Sequence, residues 1–176
     1  MNARFTPLTM MALLALALGA ALMHRAPIPP SLNGAIPALS LRPLADAPGK
    51  TTWQPTPGRV TLVNFFASWC LPCLAEHPQI TQLAGEDIDL VGIAWNDTPQ
   101  ATENWLEQHG NPYKTVWLDD GEAAIAMGIR GVPESFLIGP DGTIREHWRG
   151  AIPPAALTAV RARIQQAKAN HAPAGR

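Results

Sequence analysis

Val60-Thr61-Leu62-Val63-Asn64-Phe65-Phe66 is a near-continuous run of β-favouring residues. A strand with one wet face alternates apolar and polar side chains. A run that barely alternates belongs to a strand covered on both faces, and such strands sit in largely parallel sheets flanked by helices. The rest of the chain agrees with that demand. A helix should follow from about Cys70 to Leu83, and Ile88 to Trp95 (IDLVGIAW) reads as a second strand. Thr98 or Asp97 caps a helix through His109, with Ala101, Trp105 and Leu106 inward, and Gly110-Asn111-Pro112 ends it. Lys114 to Leu118 is a third strand, Asp119-Asp120-Gly121 turns the chain, and Glu122 to Met127 is a short helix. Glu134 to Ile138 and Thr143 to Trp148, joined by Gly139-Pro140-Asp141-Gly142, form a hairpin signal. Pro153-Pro154 opens a last helix with Leu157, Val160 and Ile164 on one face. This order predicts a three-layer α/β sandwich.

The N-terminus sets the compartment. Arg4 is the only charge before His24 and Arg25, and Phe5 to Met23 is 19 residues without charge. That is near the roughly 20 residues a membrane helix needs. A terminal apolar run flanked by positive charge reads as an export signal, and an uncleaved anchor is favoured because Gly19-Ala20-Ala21 is an unremarkable cleavage candidate. No cysteine lies near it, which excludes lipoprotein attachment. The chain divides into a signal-anchor at 1–25, a proline-rich spacer at 26–35, one domain at 36–168 and a disordered tail at 169–176. Pro27 to Pro57 should make residues 26–58 extended and irregular, with a short edge strand or hairpin near Ile36 to Leu44. A net charge of −1 leaves no basic excess for a phosphate backbone, so no nucleic-acid partner is expected.

The only two cysteines stand in Trp69-Cys70-Leu71-Pro72-Cys73, where the first long strand hands over to its helix. Two intervening residues put both sulfurs on one turn. The first helical turn offers free amide donors and the positive end of the helix dipole, which stabilise a thiolate, and the thiolate is what attacks disulfides. Cys70 should be the exposed nucleophile and Cys73 the shielded resolving thiol. Pro72 fits the first turn, where its missing amide proton costs no helix bond. Rival readings are a zinc half-site with His77, a copper-handling site and a purely structural disulfide, which at this spacing constrains little chain. Leu74 follows Cys73 where covalent haem attachment needs His.

LVNFFASWCLPCLAEHP resembles the active-site segment of thioredoxin-like proteins, and specifically the membrane-tethered thiol:disulfide interchange proteins of cytochrome c maturation, DsbE or CcmG. The resemblance runs from about Ile36 to Leu157. Its other pieces are Gly110-Asn111-Pro112-Tyr113, Gly131-Val132-Pro133-Glu134 and Asp141-Gly142. It implies a thioredoxin-like three-layer α/β sandwich with an N-terminal membrane anchor. It implies that Pro133 is a cis-proline facing the cysteines, so that the Val132 backbone pairs with a bound client chain, and that Trp69 shapes the docking surface. General thioredoxins carry a buried Asp where this chain has Asn64, so Glu76 and Glu134 become the acidic groups implied to tune the thiols. Pro78 is implied to kink the first helix. His77 is read as a helix-surface residue, and Trp95, Trp105, Trp117 and Trp148 as packing. Asn96-Asp97 replaces a frequent Lys-Asp pair, leaving that loop without an assigned role.

The implied activity is reduction of disulfides through Cys70 and Cys73, with no cofactor because the cysteines hold the electrons. The implied partners are apocytochrome c or a thiol chaperone that holds it, a DsbD- or CcdA-type membrane electron donor, and the inner membrane; the protein is expected as a monomer. The alternatives are a general periplasmic disulfide oxidase or isomerase and a tethered copper metallochaperone.

Overall fold

The computed structural model describes residues 10–16, 32–45 and 49–170. Seven strands form one sheet in the order β2-β1-β5-β4-β3-β6-β7. They are β1 (Leu39–Pro43), β2 (Thr51–Trp53), β3 (Thr61–Phe66), β4 (Asp89–Trp95), β5 (Thr115–Asp119), β6 (Glu134–Ile138) and β7 (Ile144–Arg149). The helices are α1 (Leu71–Leu83), α2 (Pro99–His109), α3 (Glu122–Met127) and α4 (Leu157–Ala169), the last preceded by a 3-10 turn at Pro154–Ala156. β3, β4 and β5 are mutually parallel; β6 runs antiparallel to β3 and β7 antiparallel to β6.

All six residues of β3 are buried, as its unalternating sequence requires. Leu62, Asn64 and Phe66 point to one face, and Val63 and Phe65 to the other. The first face packs against α1, α2 and α4 through Ile80, Leu83, Trp105, Leu106, Val160 and Ile164. The second packs against α3 through Ala123 and Met127, helped by Leu39, Leu41 and Trp53 of the β1–β2 hairpin. Layers therefore lie on both sides, but unequally: three longer helices on one, six residues of helix on the other. Thr98 caps α2 by accepting from the Ala101 amide at 3.2 Å. The Asp119 carboxylate takes the Ala123 and Ala124 amides at 2.9 Å each at the start of α3.

Two expectations change. The proline-rich stretch is not irregular throughout, because it supplies β1 and β2. Its prolines fall mostly outside those strands, and Pro43 ends β1. The hairpin expected near Ile36 to Leu44 is present as β1 and β2, with β2 at the sheet edge and β1 between β2 and β5. The inner stripe of α2 is Thr102, Trp105 and Leu106, with Ala101 only half-buried. Residues Asn33 to Ile36 bond to the start of β7, with Asn33 donating to the Ile144 carbonyl at 2.7 Å and Ile144 donating to Gly34 at 2.9 Å. The sheet's hydrogen bonding thus extends into residues assigned above to the spacer. Residues 10–16 are helical and exposed. Among the described residues no helix is long and apolar enough to cross a membrane. Most of the expected anchor, of the spacer and of the tail lies outside the described residues.

Candidate active site

Cys70 is the N-cap of α1. The chain reaches it through a tight turn in which the Cys70 amide donates to the Ala67 carbonyl at 3.1 Å. Cys70 Sγ accepts the Cys73 amide at 3.1 Å, an amide that the Cys70 carbonyl also accepts at 3.1 Å, and it is bonded to Cys73 Sγ. In the reduced protein the same amide and the helix dipole would stabilise a Cys70 thiolate. The expectation that Cys70 is exposed is corrected: it is 4% exposed against 2% for Cys73. The sulfurs lie inside the α1-side core, packed with Phe66 and Ile152, so a client must deliver its disulfide to a recessed pair. The Val132–Pro133 bond is cis, and the Val132 carbonyl oxygen lies 3.5 Å from Cys70 Sγ.

Behind the cysteines is a closed polar network. Glu76 is three residues beyond Cys73 on the same side of α1. Its Oε1 accepts from Asn64 Nδ2 at 2.9 Å and its Oε2 from the Ile152 amide at 2.8 Å. Asn64 also donates to Ser135 Oγ at 3.0 Å and accepts the Tyr113 hydroxyl proton at 2.7 Å. Gly92 makes room for this: a Cβ there would stand 2.8 Å from the Tyr113 ring. Phe66 stacks on Tyr113 with centroids 5.0 Å apart. Burial pushes the Glu76 carboxyl up to about 7, against the opposing pull of the Ile152 amide and Asn64. Burial, and then the nearby Glu76 charge, hold the Tyr113 hydroxyl well above its ordinary range.

Glu134 belongs to the other face. It lies across from Phe65, whereas Ser135 lies across from Asn64. Its Oε1 accepts from the Arg130 amide at 2.9 Å, pinning the loop that leads into cis-Pro133. Its Oε2 lies 2.6 Å from His147 Nε2, and the His147 ring stacks on Phe136 with centroids 3.9 Å apart. Burial lowers the His147 pKa, and its hydrogen bond to the Glu134 carboxylate opposes this. The sheet therefore separates the two acidic groups implied to tune the thiols. Both are buried rather than solvated.

Trp69 is 59% exposed, yet its indole N–H donates to the Asn96 carbonyl at 3.1 Å and its ring leans on Trp95 at 6.3 Å. Asp97 accepts from the Ser68 amide at 2.7 Å and the Ser68 hydroxyl at 2.9 Å. The loop left without a role thus grips the turn that carries the motif. His77 is corrected as well: it is buried, its Nε2 lies 3.0 Å from the Gly110 carbonyl, and its ring meets Trp105 edge-on at 4.6 Å. Burial lowers its pKa. Pro78 lies inside α1. Nothing local in the sequence assigns Tyr113, Ser135 or His147 to the site, and Asp97, a candidate cap for α2, also binds the turn before Cys70. The one local signal was Gly92, a glycine inside a strand, which marks a close approach. Among the described residues no group of three or more His, Cys, Asp or Glu side chains is placed to hold a metal ion.

The Redoxin family profile matches residues 32–161. The chain is 47% identical to the thiol:disulfide interchange protein CycY of Rhizobium leguminosarum bv. viciae over 49% of this chain and 48% of that protein. That match spans about half of the relative's length. To the thiol:disulfide interchange protein HelX of Rhodobacter capsulatus it is 35% identical over 69% of this chain and 70% of that protein. A solved structure described as a thiol:disulfide interchange protein DsbE from Chlorobium tepidum superposes with a TM-score of 0.66 at 25% identity, covering 79% of this chain and 99% of that one.

Proposed function

This chain belongs to the Redoxin family, among thioredoxin-like thiol:disulfide interchange proteins of the DsbE type, and we propose that it reduces disulfides during cytochrome c maturation. The observation that carries this reading is the seat of Cys70: the N-cap of α1, under the Val132 carbonyl, with the Cys73 amide on its sulfur. The reduced Cys70 thiolate attacks one sulfur of a client disulfide, and the other client sulfur leaves and takes a proton. Cys73 then gives up its proton and attacks Cys70 Sγ. The second client thiolate leaves, and the protein is left with the Cys70–Cys73 disulfide. Two electrons pass from protein to client, and no cofactor is needed.

Glu76 is the proton acceptor for Cys73 in this scheme. A carboxyl near 7 can both take and return a proton at neutral pH. Val132 supplies the backbone edge for the client, cis-Pro133 shapes that edge, Glu134 holds its loop, and Trp69 is the exposed contact. The clients are apocytochrome c or the thiol chaperone that carries it. A DsbD- or CcdA-type donor restores the dithiol. Residues 1–25 tether the monomeric domain, through the spacer at 26–35, to the periplasmic side of the inner membrane, which raises its effective concentration near membrane-bound assembly machinery.

The test is capture with Cys73→Ser, which should stall at the mixed disulfide on Cys70. Recovery of apocytochrome c, its chaperone or a transmembrane donor supports the reading. Capture of many unrelated secreted proteins replaces it with a general oxidase or isomerase. Absence of any covalent partner, with copper bound to the wild-type thiols, replaces it with a metallochaperone.

A further inference from the structure

Ser68 and Trp69 are the two central residues of the turn closed by the Cys70 amide and the Ala67 carbonyl. A substantial share of distance-defined turns lack the closing bond, so that bond alone does not guarantee a fixed turn. Here both central residues are held from the loop after β4. Asp97 Oδ2 takes the Ser68 amide at 2.7 Å, and Asp97 Oδ1 takes the Ser68 hydroxyl at 2.9 Å and the Thr98 amide at 2.9 Å. Bonds to a carboxylate are the stronger kind. Asn96 places its carbonyl under the Trp69 indole N–H, and its own amide is fixed at 2.9 Å by the Asp119 carbonyl. Asn96 has φ +48, a left-handed conformation that Asn tolerates better than most residues.

The result is unusual for an exposed aromatic. The Trp69 ring is 59% open to solvent and flanked by exposed Leu71, yet it is bonded at its nitrogen and packed on Trp95. A Trp that stays put loses little side-chain freedom when a protein covers it, and this is what makes Trp an effective anchor at interfaces. We propose that Asp97 is a positioning residue for client capture: through Ser68 it fixes the turn that carries Trp69, so that the ring stands preset beside the recessed cysteines. This rests on the reading of Trp69 as a client contact.

The test is single-turnover reduction by the full chain in mild detergent, with excess oxidised peptide carrying an intramolecular Cys-Xaa-Xaa-Cys-His disulfide. Saturation separates capture from the maximal rate, and a small aromatic disulfide reports the intrinsic reactivity of Cys70. Asp97→Ala and the lesser variant Ser68→Ala should raise the half-saturating peptide concentration, Asp97→Ala about fivefold or more. The loss with peptide should exceed the loss with the small disulfide at least threefold. The Trp69 indole N–H, followed in ¹⁵N-labelled protein, should exchange faster in Asp97→Ala. Asp97→Glu should restore part of both. Equal losses on peptide and small disulfide would overturn the proposal and make Asp97 a support of the thiols or the fold. If Trp69→Ala captures peptide as well as wild type, the premise about Trp69 fails and the proposal with it. Failure of the wild type to reduce the peptide, while it reduces the small disulfide, would instead overturn the cytochrome-directed function.

Discussion

Glu76 and Glu134 are buried on opposite faces of one sheet, and their partners differ in kind. On the α1 face Glu76 has only neutral donors, the Asn64 amide and the Ile152 backbone. On the α3 face Glu134 meets an imidazole and a backbone amide. A buried carboxyl with neutral donors and no cation is costly to ionise, and burial is the largest influence on Glu76. On the cysteine face the Glu76 carboxyl therefore resists ionisation up to about pH 7. The opposite face is arranged to keep the loop before Pro133 in place. Two carboxylates that look equivalent in the sequence meet different partners because Glu76 stands on α1 over the face that Asn64 of β3 presents, while Glu134 points from β6 to the opposite face.

The largest test of this contrast is stability against pH. Glu76 titrates near 7 in the folded chain and near 4.5 when unfolded. Between those values the native state keeps a proton that the unfolded state has released, so stability falls as pH rises. The contribution of this group should decline by on the order of 3 kcal/mol across that window. Urea unfolding of Glu76→Gln, compared with wild type at each pH, should show that the decline is gone. A parallel pair of curves would mean that Glu76 ionises near its ordinary value and that the two faces do not differ as argued. The kinetic counterpart is the lifetime of the mixed disulfide. Without its proton acceptor, attack by Cys73 should slow about tenfold to a hundredfold at pH 7. Glu134→Gln should lengthen that lifetime far less, and an equal effect would erase the distinction.

How much of this the sequence revealed follows from distance along the chain. β3 was readable because its residues are adjacent, and Glu122–Met127 was predicted with the bounds it has. The Cys70 cap was readable because three residues and a helix start define it. The Glu76 network was not. Tyr113 lies 49 residues from Asn64, Ser135 lies 71 from Asn64, and Ile152 lies 76 from Glu76. Only the order of strands brings them together. The same holds for His77, read as a surface residue because nothing local showed that α2 would cover it with Trp105. The grip of Asp97 on Ser68 spans 29 residues and depends on β3 and β4 ending side by side.

The network makes a sharper, smaller prediction at Tyr113. Its hydroxyl donates to Asn64 Oδ1, and this fixes the amide with its NH₂ toward Glu76 and Ser135. Tyr113→Phe keeps the stack on Phe66 and the space over Gly92 but leaves a buried carbonyl oxygen without a donor. That should cost about 1–3 kcal/mol in denaturant unfolding. A second change, Asn64→Leu, removes the unsatisfied oxygen but also strips Glu76 of a donor. If Tyr113→Phe is neutral, the amide is held by Ser135 and Glu76 alone, and the cysteine face is less tightly specified than its hydrogen bonds imply.

The smallest effect is expected on the other face, and its sign is reversed. His147 titrates below its ordinary 6.5 because it is buried. As pH falls below 6.5 the unfolded chain takes up a proton that the native ring resists, so stability is lost on acidification. His77 has the same sign, from burial beside Trp105 on the cysteine face. His147→Gln keeps a neutral N–H donor for Glu134 but cannot titrate and loses the stack on Phe136. At pH 7 it should cost about 1 kcal/mol, mostly the lost stacking. Compared with wild type at each pH, that cost should shrink as pH falls below 6.5, because Glu76 and His77 titrate alike in both proteins and cancel in the difference. A cost that stays constant with pH would mean that the native His147 ring does not resist protonation. The α3 face would then be a passive support for the loop before Pro133.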